Sequence, residues 1–372
     1  MERCIVAESG SSSKEEALIQ VTDKLNSQGV SPKLIIFFSN QADLWFYSKS
    51  LYEQFPDAQS IGTSSYNLFS SEGYDKTGLT AMAVYDGIEC TSGLIFEVNR
   101  HPMNYYVHIR NSLEDLSSLE NTCCLEFTTS FSHGEEIVQD TFRKVLEDKN
   151  IPVFGGSSGG NMQGSEHAAV ALNGTVYLNT CAFVFIHNLN GKICLYKENI
   201  YKPTDYVFYP TDVDCEDCIV YEYDNVEAKT AIEKALGVTY EKNPVAFKEH
   251  PMGRITDDDI SIIDVAEVNP DKSIRYFSRI YNQTKMVLLE KDDIPNVWRN
   301  TAFNILNEVK NPSFTVCINC HGRSKIFEDN KIMDDFIVNL KNNYGKFIGV
   351  STIGEQLNFE NLNQTCVLAV FE

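Results

Sequence analysis

Phe347-Ile348-Gly349-Val350-Ser351-Thr352-Ile353-Gly354-Glu355 carries a short apolar strand into a loop of Gly, Ser and Thr. On its N-terminal side, Ile332, Phe336, Ile337 and Leu340 recur at helical spacing, and before them stands the apolar strand Phe314-Thr315-Val316-Cys317-Ile318. On its C-terminal side the chain closes on Thr365-Cys366-Val367-Leu368-Ala369-Val370-Phe371, a second continuous apolar strand. The unit is therefore strand, amphipathic helix, short strand into a Gly/Ser loop, and closing strand. Strands apolar at every position rather than at alternate ones belong in sheets covered on both faces.

The same order occurs twice more. One copy opens on Leu34-Ile35-Ile36-Phe37-Phe38, places Leu44, Tyr47, Leu51 and Phe55 on a helix, and passes through Ile61-Gly62-Thr63-Ser64-Ser65 to Leu79–Val84. Another opens on Cys123-Cys124-Leu125-Glu126-Phe127, with Ile137, Thr141 and Val145 on its helix. Its loop is Val153-Phe154-Gly155-Gly156-Ser157-Ser158-Gly159-Gly160-Asn161 and its closing strand Cys181–Ile186. Glycine lets backbone N–H groups approach a ligand closely, and Ser and Thr hydroxyls both donate and accept. Gly and Ser are also ordinary turn residues, so one loop alone reads as a connection; three in matching positions set a ligand site beside that reading as an equal alternative. None is a phosphate loop, since no GxGxxG opens a helix and no GxxxxGK[ST] occurs.

A helix ahead of the first copy carries Leu18, Val21 and Leu25, with Ser13 and Glu16 at capping-box spacing. Between the second and third copies, residues 191–225 read as short strands around Pro203 and Pro210. A helix follows with Ala228, Ile232, Ala235 and Leu236, stopped by Gly237; then come hairpin-like strands at Ser261-Ile262-Ile263 and Met286–Leu289, and a helix carrying Trp298, Ala302, Ile305 and Val309. The expected fold class is mixed α/β: repeated strand–helix–loop–strand units in two packed domains, 1–190 and 191–372, with mixed sheets flanked by helices.

A length of 372 residues suits two domains, and 43% hydrophobic with 22% charged residues suits a buried core. No eighteen apolar residues run together, so no membrane insertion is expected, and the start Met1-Glu2-Arg3-Cys4-Ile5-Val6 reads as a strand rather than a signal peptide. The net charge of −21 argues against nucleic acid and anionic membranes as partners. Eleven cysteines without an export signal read as reduced thiols of a cytoplasmic protein, most of them small hydrophobes.

Cys215-Glu216-Asp217-Cys218 and Cys317-Ile318-Asn319-Cys320 could together make a four-thiolate zinc site. Strand alternation sends Cys317 and Cys320 to opposite faces, however, so no metal is expected. Cys317-Ile318-Asn319-Cys320-His321 also matches a haem-attachment string, which an unexported chain does not use. Cys320 beside His321 and Arg323 raises a nucleophile, and with it a cysteine-dependent hydrolase or transferase. No third catalytic group is identifiable, and a binding protein without a cofactor is the main reading. His133 next to Glu135 and Glu136 reads as a helix start, and Asp257-Asp258-Asp259 as a solvated turn without calcium-loop spacing.

The run Gly322-Arg323, Ile348–Glu355 and Asn363-Gln364-Thr365, with Cys320 ahead of it, resembles the end of the FIST C-domain. Pro152-Val153-Phe154-Gly155-Gly156 followed by Asn179-Thr180-Cys181-Ala182-Phe183 resembles the second half of the FIST N-domain. In the first loop the family's Ser-Thr-Gly-Glu-like run is replaced by Thr63-Ser64-Ser65-Tyr66. The resemblance implies a sensory input module for a small polar ligand such as an amino acid. It further implies a separate signalling partner protein, because the sequence offers no output domain; a protein–protein docking scaffold is the third reading. The expected ligand contacts are Gly155, Gly156, Ser157, Ser158, Asn161, Cys320, Arg323, Gly349, Ser351, Thr352, Gly354 and Glu355. In this reading Arg323 clamps a carboxylate, Glu355 receives an ammonium group, and the two loops face one cavity between the halves.

Overall fold

The computed structural model describes residues 2–132, 134–160, 168–256 and 259–372. The chain forms two compact units: residues 1–198, 300–361 and 366–372 in one, residues 199–299 and 362–365 in the other.

The first unit begins with β1 (Cys4–Ser9) and α1 (Lys14–Leu25), whose first turn is capped by Ser13 Oγ accepting from the Glu16 amide at 3.2 Å. The Glu16 carboxylate does not return to the Ser13 amide; it accepts from Ser11 Oγ instead, so the capping box is half made. The first copy follows as β2 (Leu34–Ser39), α2 (Leu44–Gln54) and β3 (Gln59–Ser64). It continues with the hairpin β4 (Leu68–Ser70) and β5 (Tyr74–Asp75), then β6 (Leu79–Val84). The second copy is led by β7 (Ile88–Phe96) and α3 (Tyr106–Asn111), then runs β8 (Thr122–Thr128), α4 (Glu135–Leu146) and β9 (Val153–Ser157). Its hairpin is β10 (Val170–Leu172) and β11 (Thr175–Tyr177), and it closes on β12 (Thr180–Asn188) and leads out through β13 (Ile193–Asn199).

The second unit holds a sheet of β14 (Tyr201–Phe208), β22 (Met286–Lys291), β18 (Met252–Thr256) and β19 (Asp259–Ile263). Another joins β15 (Pro210–Asp214), β16 (Ile219–Tyr223), β21 (Ile274–Tyr276) and β20 (Val265–Val268), with β17 (Val226–Glu227) on β16. With α5 (Ala228–Leu236) and α6 (Pro244–Glu249) they enclose Val220, Ile232, Phe247, Ile274 and Leu288. Gly237 ends α5 in the left-handed conformation at φ 67°, where only glycine pays no steric cost. Asn363 and Gln364 tie the returning chain into this unit through Ser278 (3.1 Å) and Asp264 (2.8 Å).

After α7 (Ile294–Glu308) the third copy runs β23 (Phe314–Cys320), α8 (His321–Asp329), α9 (Met333–Tyr344) and β24 (Phe347–Thr352). Its hairpin is β25 (Glu355–Leu357) and β26 (Glu360–Leu362), and it closes on β27 (Thr365–Phe371). The third copy lies in the same compact unit as the first two.

The three copies form three equivalent six-stranded sheets, of order β1-β6-β2-β3-β10-β11, β7-β12-β8-β9-β25-β26 and β13-β27-β23-β24-β4-β5. In each, the first and second strands of a copy pair in parallel, the closing strand is antiparallel to the first, and the last two places are filled by another copy's hairpin. The exchange is cyclic. The first copy's hairpin completes the third sheet, the third's completes the second, and the second's completes the first. No copy has a finished sheet of its own: Ala169 and Ala171 belong to the first copy's core, and Phe359 packs on the second copy's.

Register makes the equivalence exact at the residue level. Gly62, Gly155 and Gly349 each oppose the middle residue of an incoming strand, respectively Ala171, Gln356 and Phe69. A Cβ on Gly349 would lie 2.0 Å from the Phe69 ring, and one on Gly155 would lie 1.9 Å from the Glu126 carbonyl oxygen. Gly349 thus makes room for the incoming Phe69, while Gly62 and Gly155 make room for their own copy's first strand at Phe37 and Glu126. At the strands' other ends, Arg3 binds all three copies: it donates to Gly87 O (3.1 Å), to Asn188 Oδ1, to Ser313 Oγ (2.7 Å) and to the carbonyl of Glu372.

Candidate functional site

Two residues beyond each of those glycines stands a serine: Ser64, Ser157 and Ser351, all buried. Their amides donate to three equivalent acceptors in the incoming chains: Ala169 O at 3.1 Å, Gly354 O at 2.8 Å and Asn67 O at 3.2 Å. Their partners across the parallel pair are Ser39, Thr128 and Asn319. The carboxyl ends of β2/β3, β8/β9 and β23/β24 therefore meet in one polar seam. Crevices at the carboxyl ends of parallel strands are where α/β sheets place ligands.

Hydroxyls and backbone stitch the seam together. Ser64 Oγ donates to Gly159 O, and the Gly159 amide donates to Ser64 O at 2.8 Å. Ser65 Oγ reaches Ser351 O at 2.8 Å, and the Ile353 amide donates to Ser157 O at 3.1 Å. Gln356 Nε2 donates to Ser157 Oγ at 3.0 Å, and the Ser130 amide to Ser158 Oγ at 3.1 Å. A chain of side chains runs from Asn319 Nδ2 to Ser324 Oγ to Ser351 Oγ, each step 2.7 Å. Thr352 Oγ1 contacts the buried carboxylate of Glu355 at 3.1 Å. Among the described residues, the buried Asn319 Oδ1, Gln356 Oε1 and Ser130 Oγ have no hydrogen-bond partner. A buried polar atom left unpaired costs about 1–3 kcal/mol, so three of them around one seam need an explanation.

The expected residues divide. Gly155, Gly156, Ser157, Ser158, Gly349, Ser351, Thr352, Gly354 and Glu355 come together in the seam, where β25 pairs with β9 and sets Glu355 opposite Gly156. The meeting takes place inside the first compact unit, where loops from the N-terminal and C-terminal stretches of the sequence come together. Cys320 caps α8 with extended backbone angles, φ −63° and ψ 138°, and the His321 ring packs on Tyr66 at 4.4 Å between centroids. Burial holds the His321 imidazole below its ordinary pKa. Arg323 is fully buried and its two terminal nitrogens are engaged by Glu198, one on the carboxylate and one on the carbonyl oxygen at 3.2 Å. Its guanidinium also lies over Phe327 and Phe336 at 5.0 and 5.7 Å. His133, Asn161, Asp257 and Asp258 lie outside the described residues.

Cys317 and Cys320 do part company as alternation requires: Cys317 Sγ lies 3.4 Å from Cys366 Sγ, while Cys320 stands at the head of α8. Among the described residues no group of three or more His, Cys, Asp or Glu side chains is arranged to hold a metal ion. No described helix is long and apolar enough to cross a membrane.

Sequence reasoning missed Glu198 and Asn319, and left Ser64 and Ser65 of the first loop out of the expected contacts. A signal for the serines was present: Gly-x-Ser recurs as Gly62-Thr63-Ser64, Gly155-Gly156-Ser157 and Gly349-Val350-Ser351. Nothing near Glu198 in the sequence points to Arg323, because their separation of 125 positions is bridged only by the fold.

Two family profiles match the chain in order, the FIST N domain over residues 33–225 and the FIST C domain over residues 228–358. Comparison with curated proteins gives no match. Domains of this kind are in general sensory, small-ligand-binding parts of signalling proteins. With matched profiles covering nearly its whole length, the chain belongs to the FIST family.

Proposed function

We propose that this chain is a cytoplasmic sensor that holds a small polar zwitterion, such as an amino acid, at the seam of the three strand-end loops and reports it to a separate signalling protein. The observation that carries the reading is the set of buried, unpartnered oxygens on Asn319, Gln356 and Ser130 at the strand ends, together with the buried carboxylate of Glu355 on Thr352. Acceptors without donors suit an ammonium group. The first turn of α8 supplies the complement, since the leading N–H groups of a helix have no partner within it and favour a carboxylate. Ser158, Thr352, Gly354, Glu355 and Cys320 are the proposed contacts. Gly349 admits the first copy's hairpin, and Arg323, held by Glu198, positions α8 rather than clamping the ligand itself.

A catalytic reading rests on one observation, Cys320 at the head of α8 with His321 next to it. Iodoacetamide distinguishes it: a nucleophilic Cys320 is labelled far faster than the half-buried thiols Cys215 and Cys218.

The test of the sensor is a thermal-shift screen of amino acids and organic acids on the wild type and on Thr352→Val and Glu355→Gln. A true ligand at one hundred times its dissociation constant stabilises the wild type by about 2.7 kcal/mol. The two variants respond less. If nothing stabilises the wild type, the docking-scaffold reading replaces this one; if hits stabilise all three proteins equally, the site lies elsewhere.

A further inference from the structure

A cavity of about 300 Å³ opens between α3 and the end of α4, lined by Tyr106, Val107, Arg110, Lys144, Val145 and Lys149. Three of those six residues are cationic, in a chain with 52 acidic and 31 basic residues. None of the six belongs to the strand-end seam. Arg110 and Lys144 each lie in the last turn of a helix, where the dipole favours a cation. That accounts for each charge singly, but not for their convergence on one cavity from two helices and the segment after α4. Lys149 is half-buried and paired with Asp148 at 2.6 Å. Among the described residues no carboxylate pairs with Arg110 or Lys144, so the cavity carries two uncompensated positive charges. The rest of the lining is apolar: Val145 is buried, while Val107 remains 57% exposed next to the Tyr106 ring.

We propose that this cavity is a second small-molecule site, for an organic phosphomonoester with a small apolar or aromatic body. A phosphomonoester carries about −1.5 to −2 charges at pH 7, which balances Arg110 and Lys144 where a monocarboxylate would not. Arg110 supplies a planar fork of donors and Lys144 a mobile point charge. Tyr106, Val107 and Val145 cover the organic body. The volume stands at the lower end of small-molecule sites, about 300–1,000 Å³, so the body is no larger than one or two rings.

Phenyl phosphate is the probe, titrated calorimetrically at low ionic strength into the full chain. Wild type is expected to bind it, phenol not to compete, and the double variant Arg110→Ala/Lys144→Ala to bind at least about tenfold more weakly. Both side chains are exposed, so the double variant keeps the wild-type melting temperature. Thr352→Val, in the seam, keeps wild-type affinity for the probe. The proposal is overturned if wild type fails to bind phenyl phosphate, if the double variant binds as well as wild type, or if phenol displaces the probe at equal concentration.

Discussion

Glu126 offers a measurable consequence of how the second copy is packed. It lies in β8, fully buried, paired with Gly155 on the neighbouring parallel strand. It accepts from Thr128 Oγ1 at 2.8 Å, Gln139 Nε2 at 3.0 Å and Cys181 Sγ at 3.3 Å, yet burial outweighs these contacts and pushes its carboxyl up from 4.5 to about 7. Below pH 4.5 the folded and unfolded chains both hold the proton and there is no penalty. Between pH 4.5 and about 7 the unfolded chain releases it and the folded chain does not, so stability falls as pH rises. Above about 7 the penalty is complete, on the order of 3 kcal/mol at about 1.4 kcal/mol per unit. Glu126→Gln removes the titration and preserves the shape. Urea unfolding followed by circular dichroism at pH 5, 6, 7 and 8 is the assay. Wild type should lose stability relative to Glu126→Gln across that range, most steeply between pH 5 and 7. Glu8, also pushed to about 7 by burial, gives the same trend in both proteins and cancels in the difference. Parallel curves for the two proteins would refute the reasoning.

Arg323 and Glu198 form a buried ion pair, and removing one member leaves the other charge uncompensated. Arg323→Met or Glu198→Gln alone should cost about 3–5 kcal/mol, while the double variant should cost clearly less than the sum, read from the same urea titrations. Gly349→Ala would set a Cβ 2.0 Å from the Phe69 ring; overpacking of this kind costs about 1–3 kcal/mol, and Phe69→Leu should recover part of the loss. Arg3→Ala removes the donor shared by the three copies at the opposite ends of the strands. Hydrogen exchange should then quicken in β27, whose neighbour Glu372 accepts from Arg3.

Much of the fold was legible because its signals are local. The apolar strands, the helices on either side of the loops and the Gly237 stop all sit where periodicity and turn chemistry put them. The matching order of three segments also revealed a repeat. What local signals do not carry is which copy completes which sheet. Strands of three residues such as β4, β10 and β25 have too little pattern to announce a partner, and the partner lies in another copy. Gly349 shows the effect well: as a loop residue it reads as room for a ligand, whereas the fold fills that room with Phe69. Arg323 shows it again, since an arginine after a strand end reads as a ligand clamp until Glu198 is brought against it from the second copy's exit strand.

The proposed ligand is a single small molecule that satisfies the orphaned oxygens of the three-loop seam. The most direct test is a crystal structure of the protein grown with the strongest hit from the thermal-shift screen. Density for the ligand is expected within hydrogen-bonding distance of Asn319, Thr352 and Glu355, with its carboxylate toward the first turn of α8. Density for that hit outside the seam, with ordered waters satisfying Asn319 and Gln356 in its place, would contradict it.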